Sequence, residues 1–120
     1  MPQFETSSIT TSTLSAFNAN IPVQLSYNPT SGTAQHYYTY ITDGSSSISL
    51  ALPSTNVNGQ YISFNNCAIS PNTGTFTITA ASAIIYDTAS GSLGSTLALT
   101  AGQRVKLVYS SSAAAWFPMA

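Results

Sequence analysis

The stretch STLALTAGQRVKLVYSSSAAAWF, residues 95–117, contains two segments in which apolar and polar residues alternate, on either side of a short turn signal. A period of two residues is typical of a β-strand that buries one of its faces. In the second segment this alternation predicts that Val105, Leu107 and Tyr109 point toward a core. We therefore predict two strands joined by a turn at residues 100–102.

The outward face of the second segment carries Arg104, Lys106 and Val108, and its two cations are the only Arg and Lys of the chain. Charge on an outward strand face hinders unwanted edge pairing, and most surface charges keep a protein soluble. We interpret the pair first as surface charge, with ligand binding as the alternative.

Similar β signals recur from residue 21 onward, where short runs rich in Ile, Val, Tyr, Phe and Thr lie between clusters of Gly, Pro, Asn and Asp. Strands are predicted at 21–27, 36–41, 47–52, 60–64, 75–80, 82–86, 95–99 and 103–109. Core faces are predicted for Ile48, Leu50 and Leu52 and for Phe76, Ile78 and Ala80. The spacing favours an all-β fold, an antiparallel, jelly-roll-like β-sandwich over residues 21–120.

A short internal repeat supports a two-sheet arrangement. Residues 50–52 followed by 59–64 resemble residues 97–99 followed by 102–107, with Leu-Ala-Leu and then Gly-Gln in both. Two strand-turn-strand units of similar build would suit the two sheets of one sandwich.

Residues 1–20, MPQFETSSITTSTLSAFNAN, show neither a strand nor a helical period. Two interpretations are equally compatible with this segment: an extended N-terminal arm that orders on a partner, or a first irregular strand of the domain. In the first interpretation the candidate contacts are its four larger apolar side chains, Phe4, Ile9, Leu14 and Phe17.

The composition limits what the protein does. The chain has 120 residues, which is the size of one domain, and only 4% of them are charged, with a formal net charge of -1. Two basic residues are too few for nucleic-acid binding, and no apolar run approaches the roughly 20 residues of a membrane helix. A surface of Ser, Thr, Asn and Gln with so little charge indicates that much of it is covered in an assembly.

Groups for catalysis or metal binding are scarce. The chain has one histidine, His36, one cysteine, Cys67, and three carboxylates far apart in sequence. A triad with His36 can be drawn on paper, but no strained nucleophile motif accompanies it. We predict no enzyme activity, no catalytic residues, no metal site and no cofactor. A His36 cluster on a trimer axis is a weaker alternative, and Cys67 is expected to be a small buried side chain.

Two further features allow a binding role. Asp43-Gly44-Ser45 is first a turn signal and only second a calcium loop. Tyr37, Tyr38 and Tyr40 form an aromatic run in which Tyr38 and Tyr40 share a face. These rings either fill a small core or form a receptor or interface patch together with Arg104 and Lys106, because tyrosine suits both protein and carbohydrate contacts.

The C-terminal part of the chain resembles bacteriophage fibre, head-fibre and capsid decoration modules. The resemblance lies in a Leu-Pro turn, a Gly-x-x-Ile-x-Phe segment, a T-x-T-I strand, a Leu-x-x-Gly-x-x-Val-x-Leu-Val segment and a closing tryptophan strand. The matching positions are Leu52, Pro53, Gly59, Ile62, Asn65, Ile78, Ile85, Leu99, Gly102, Val105, Leu107 and Trp116.

This resemblance implies a trimeric β-sandwich module with a structural or host-recognition role and no catalysis. Fibres of this kind carry a long stalk, whereas here residues 1–20 precede the β region. We therefore expect a homotrimeric capsid decoration or cement protein on the virion surface, which binds the major capsid protein. The alternative is a receptor-binding module of a tail fibre or spike that recognises a host surface glycan.

Overall fold

A computed structural model describes residues 23–119. In this range the protein consists of β-strands and loops, with no helix, so the predicted all-β class is confirmed there. No helix of the described range is long and apolar enough to cross a membrane. The predicted arm, residues 1–20, lies outside the described residues, and so do its candidate contacts Phe4, Ile9, Leu14 and Phe17.

The strands form two sheets. In chain order they are β1 (Gln24–Tyr27), β2 (Gly32–Thr33), β3 (Tyr38–Thr42), β4 (Ile48–Ala51), β5 (Tyr61–Asn66), β6 (Phe76–Thr79), β7 (Ile85–Asp87), β8 (Ser92–Gly94), β9 (Thr96–Leu99), β10 (Arg104–Ser110) and β11 (Ala115–Met119). The seven-stranded sheet has the order β1-β3-β5-β10-β11-β7-β8, and the four-stranded sheet has the order β2-β4-β6-β9.

The predicted antiparallel arrangement is wrong for part of each sheet, because both sheets contain parallel as well as antiparallel pairs. Among the described strands β1 pairs with β3, β3 with β5, β2 with β4, β4 with β6 and β11 with β7 in parallel. The chain passes from one sheet to the other and back between β1 and β6. Each time the chain returns to a sheet, the new strand lies beside the previous strand of that sheet and runs in the same direction. The intervening strand in the opposite sheet serves as the crossover that a parallel pair needs. Only the C-terminal strands add antiparallel pairs, as in β5-β10-β11.

Both sheets contribute to one hydrophobic core, and the predicted inward faces are largely confirmed. Ile62, Phe64, Leu107 and Trp116 from the seven-stranded sheet belong to the same buried cluster as Ile48, Leu50, Phe76 and Ile78 from the four-stranded sheet. The rings of Phe64 and Phe76 meet edge to face between the sheets, with centroids 5.7 Å apart. Ala80, Val105 and Tyr109 are half-buried and pack against this core.

The internal repeat corresponds to two copies of one turn. Gly59 and Gly102 have φ of +88° and +83°, and each is the third residue of a four-residue turn. The backbone N–H of the fourth residue, Gln60 or Gln103, closes the turn by donating to the carbonyl oxygen of the first, Val57 or Thr100. In both turns the following glutamine side chain accepts a hydrogen bond from the first backbone N–H, from Val57 to Gln60 and from Thr100 to Gln103. Each turn leads from the four-stranded into the seven-stranded sheet, into β5 and β10.

These two turns dock symmetrically on the β5-β10 pair. The backbone N–H of Gly59 donates to the carbonyl oxygen of Tyr109 at the end of β10, and that of Gly102 donates to the carbonyl oxygen of Asn66 at the end of β5. The same glycine-to-carbonyl hydrogen bond therefore closes both ends of the β5-β10 pair. A local pseudo-two-fold axis relates the two turns and the strands that follow them.

Asn66 joins the two sheets. Its side chain is fully buried, and its amide nitrogen donates to the carbonyl oxygens of Gly74, just before β6, and of Leu99 in β9, both at 2.9 Å. Because β6 and β9 belong to the four-stranded sheet, this single residue of β5 ties the sheets together at one end of the core.

Candidate functional site

The outward side of the seven-stranded sheet carries most of the residues singled out in the sequence. Alternation in β5, β10 and β11 sends Ile62, Phe64, Leu107 and Trp116 inward and leaves the intervening side chains outside. We call this surface the outer face. It consists of Leu25, Tyr27, Tyr37, Thr39, Ile41, Tyr61, Ser63, Asn65, Tyr86, Leu93, Arg104, Lys106, Val108, Phe117 and Met119.

Arg104 and Lys106 lie in the middle of the outer face, and both are exposed, as predicted. In the pairing of β5 with β10, Arg104 lies opposite Asn65 and Lys106 lies opposite Ser63. The Lys106 ammonium is 4.4 Å from the centroid of the Tyr61 ring. Such a cation–π contact holds the flexible lysine head group in place.

The three predicted tyrosines separate into two groups. Tyr38 and Tyr40 share the inward face, where their rings stack with centroids 5.6 Å apart, and Tyr40 is only 6% exposed. Tyr40 therefore belongs to the core, the first of the two interpretations given for this run. Burial raises the pKa of its hydroxyl, against the hydrogen bond that the Gln35 backbone N–H donates to the hydroxyl oxygen.

Tyr37 lies outside the core and is 50% exposed, with a positive φ of 67°. Its ring meets the Tyr61 ring edge to face, with centroids 5.1 Å apart. Tyr37, Tyr61 and Lys106 thus form a chain of contacts on the outer face. The outer face also brings Tyr86 against Phe117, with ring centroids 5.7 Å apart.

Tyr61, Tyr86 and Phe117 were not singled out in the sequence. The sequence did contain a signal for Tyr61, because alternation in QYISF places its side chain on the other face of the strand from Ile62 and Phe64. Tyr86 and Phe117 lie on β7 and β11, which are distant in sequence and pair through the single register contact Ile85 to Trp116, so no local pattern predicts that their rings meet.

Two depressions border Arg104. The first lies on the outer face, has a volume of about 470 Å³, and is lined mainly by Thr39, Ser63, Asn65, Arg104, Lys106 and Met119. The second is a groove of about 500 Å³ where β9 and β10 approach β7 and β11, with Leu97, Leu99, Val105 and Pro118 in its walls and Asp87, Gln103 and Arg104 among its polar residues.

His36 packs against the core instead of standing free on the surface. Its ring stacks on the fully buried Trp116, with centroids 6.2 Å apart and an interplanar angle of 15°. Its Nε2 is 2.8 Å from Oδ1 of Asn56, so the histidine is paired with an amide and not with the carboxylate that the triad interpretation required. No group of three or more His, Cys, Asp or Glu side chains that could hold a metal ion occurs within residues 23–119.

Cys67 and Asp43 lie at the ends of β5 and β3. The prediction that Cys67 is buried is wrong, because the inward Asn66 ends β5 and places the following residue outside. The turn interpretation of Asp43 is confirmed, since its carboxylate accepts a hydrogen bond from the Ser45 backbone N–H at 2.9 Å. Hydrogen bonds from Ser45, and a weaker contribution from Asn28, lower the pKa of Asp43 below its ordinary value.

Comparisons with known proteins do not identify a family for this chain. The chain matches no protein-family model and no curated protein sequence. The outer face is thus described by its chemistry alone: two cations, hydroxyl and amide groups beside them, and exposed aromatic rings. Groups of this kind can form hydrogen bonds, charge pairs and apolar contacts with a ligand.

Proposed function

We propose that this protein is a non-enzymatic structural protein of a virion, a homotrimeric β-sandwich module that sits on the capsid surface as a decoration or cement protein. In this role it binds copies of itself and the major capsid protein, and it stabilises the shell because it binds the assembled form only.

One observation carries the proposal: the open edge at β1. Within the described residues β1 pairs on one side only, with β3. Leu25 and Tyr27 are each 57% exposed, and the strand QLSY has no charge. Edge strands of monomeric proteins are protected by charges, prolines or bulges, because an unpaired apolar edge is a template for pairing with another chain. A neighbouring subunit is the partner that we assign to this edge.

The surface of the four-stranded sheet supports the same role. Its outward positions are small and uncharged: Ser49, Ala51, Thr77, Thr79, Thr96 and Ala98. Short side chains lose little rotamer entropy when they are covered, so a surface of this kind packs against a partner at low cost.

The predicted shell contacts come directly before the open edge in sequence. Phe4, Ile9, Leu14 and Phe17 precede β1, and deletion of residues 1–20 should abolish capsid binding while residues 23–119 keep their fold. Co-sedimentation with capsids, together with circular dichroism of the truncated chain, measures both. Full occupancy on capsids after the deletion would reject the shell-contact role.

The oligomeric state tests whether the open edge at β1 pairs with a neighbouring subunit. Light scattering over a dilution series should give three times 12.5 kDa for the unaltered chain. Leu25→Glu should shift the mass toward the monomer, because it places charge on the open edge. Val57→Glu is the matched control, since Val57 is 63% exposed in a loop away from β1. A monomer at all concentrations would contradict a preformed trimer, and a trimer unaffected by Leu25→Glu would exclude the edge.

The second candidate function is recognition of a host surface glycan, as in a tail fibre or spike. The depression between Arg104 and Lys106 favours it, because polar groups there surround a concave space within the size range of small-molecule sites. Loss of cell binding on charge removal at Arg104, without unfolding, is the result expected for this function.

A further inference from the structure

We propose that the depression between Arg104 and Lys106 binds an acidic saccharide, a hydroxyl-rich ring that carries a carboxylate or sulfate group. This inference rests on the second candidate function, glycan recognition, and names its ligand class. Its volume of about 470 Å³ lies within the range of roughly 300 to 1,000 Å³ that is common for small-molecule sites.

The charge of the depression is unusual for this chain. Its only Arg and its only Lys both line this one space, whereas Asp43 and Asp87 do not. Arg104 and Lys106 are two residues apart on the same strand face, so their backbones are about 7 Å apart. An arginine fork matches the two oxygens of a carboxylate or sulfate, and the lysine adds a second positive charge on the same strand face.

The Lys106 head group is held in position by one aromatic ring, which a second ring supports in turn. Its ammonium lies over Tyr61 at 4.4 Å, and the Tyr61 ring is itself held edge to face by Tyr37. Tyr61 is a positioning residue, because it restricts the Lys106 side chain before a ligand binds. Less side-chain entropy is then lost on binding.

Neutral hydrogen-bonding groups form part of the remaining walls, and Phe64, Val105 and Met119 form the apolar part. Thr39, Ser63 and Lys106 occupy one row across β3, β5 and β10, and Asn65 and Arg104 occupy the next row. Hydroxyl and amide side chains both donate and accept, which matches the hydroxyl groups of a sugar ring. Nucleic acid fits less well, because its affinity depends on neutralising several phosphates and this site has two cations.

Binding of defined probes tests the site. Isothermal titration of the 120-residue chain with oligogalacturonic acid, a sulfated galactan oligomer, a neutral galactan oligomer of the same length and oligoglutamate separates the contributions of acid group and sugar. We expect either acidic saccharide to bind at least tenfold more tightly than the neutral one, and the stronger of the two identifies the acid group. Tighter binding of oligoglutamate than of both acidic saccharides would overturn the saccharide assignment.

Two charge variants localise the effect. Arg104→Gln should weaken acidic-saccharide binding about tenfold or more, the loss expected for one charge-assisted contact. Ser112→Asp changes the net charge by the same amount in the exposed loop between β10 and β11 and should leave binding within twofold. Equal losses in both variants would mean that only overall charge matters, and this would overturn the site.

The positioning role has its own readout. Tyr61→Leu should weaken binding about two- to fivefold, while Tyr61→Phe, which keeps the ring, should restore it. Failure of the inference is distinguishable from failure of glycan recognition. Equal binding of neutral and acidic saccharides would overturn the acidic site and leave recognition standing, whereas no binding of any saccharide would overturn both.

Discussion

At the scale of single residues, Asn66 provides a polar link between the two sheets. It is a polar side chain in an apolar core, and its amide nitrogen satisfies two carbonyl oxygens of the opposite sheet. A buried carbonyl that loses its donor retains the full cost of its desolvation, about 1 to 3 kcal/mol. The stability of the fold therefore depends on this residue more than on any exposed one.

Substitution of Asn66 tests this role. Asn66→Ala should lower the free energy of unfolding by about 1 to 3 kcal/mol for each carbonyl left without a donor, and Asn66→Asp should lower it further, because a carboxylate would face two carbonyl oxygens. Asn65→Asp is the matched control, since its half-buried side chain lies opposite Arg104 on the outer face. Urea unfolding measures all three, and equal effects of the two Asp variants would contradict the role of Asn66.

The sequence predicted individual faces better than it predicted their partners. The alternation of Ile48 with Leu50, or of Phe76 with Ile78, is a local property, and the structure buries all four. Alternation with Ile62 and Phe64 places Asn66 on the inward face, but its hydrogen-bond partners Gly74 and Leu99 are distant in sequence and no local pattern predicts them. For the same reason the contact of Lys106 with Tyr61 was not predicted, although both residues lie on strands that were.

At the scale of elements, seven of the eight predicted strands have their centres where the structure places β1, β3, β4, β5, β6, β9 and β10. The short β2 and β8 were assigned to turns, because two or three residues with Gly and Ser carry no periodic signal. The predicted direction of strand pairing was wrong for the parallel pairs for a physical reason. Alternation determines which face of a strand is buried, but the alternation pattern is the same in parallel and antiparallel strands.

The repeated turn is the element whose sequence signal was most informative. Gly59 and Gly102 both have φ that other residues adopt only at a cost, and open space surrounds the position of a Cβ atom at each. The cost of a substitution there is therefore backbone strain alone, and it should be the same in the two copies.

Gly59→Ala and Gly102→Ala should each lower the free energy of unfolding by about 1 to 2 kcal/mol, with similar values for the two variants. Asn at either position should cost less, because Asn tolerates positive φ. Gly32→Ala is the control, since Gly32 also has open space around it but no positive φ, and we expect no loss there. Thermal or urea unfolding gives the values, and a large difference between the two turns would contradict their equivalence.

At the scale of the whole molecule, the path of the chain makes the two sheets interdependent. From β1 to β6 the strands alternate between the seven-stranded and the four-stranded sheet, and again from β9 to β10. Neither sheet is a continuous segment of sequence, and both bury their side chains in one cluster. One sheet cannot unfold without removing the packing partner of the other, which is the condition for a single cooperative transition.

Trp116 allows this cooperativity to be measured, because it is the only tryptophan of the chain and is fully buried in the seven-stranded sheet. Its fluorescence and the far-UV circular dichroism should report the same unfolding midpoint at a fixed protein concentration. Leu50→Ala, in the four-stranded sheet, should move both midpoints together and cost about 2 to 5 kcal/mol, because it leaves a cavity at a residue that is 2% exposed.

Leu93→Ala serves as the comparison, since Leu93 is 44% exposed at the edge strand β8 and should shift neither midpoint by much. If Leu50→Ala moved the circular dichroism transition and left the Trp116 transition in place, the two sheets would unfold independently. The interleaved path of the chain makes that outcome physically unfavourable, because the strands on both sides of β4 in sequence, β3 and β5, belong to the sheet that contains Trp116.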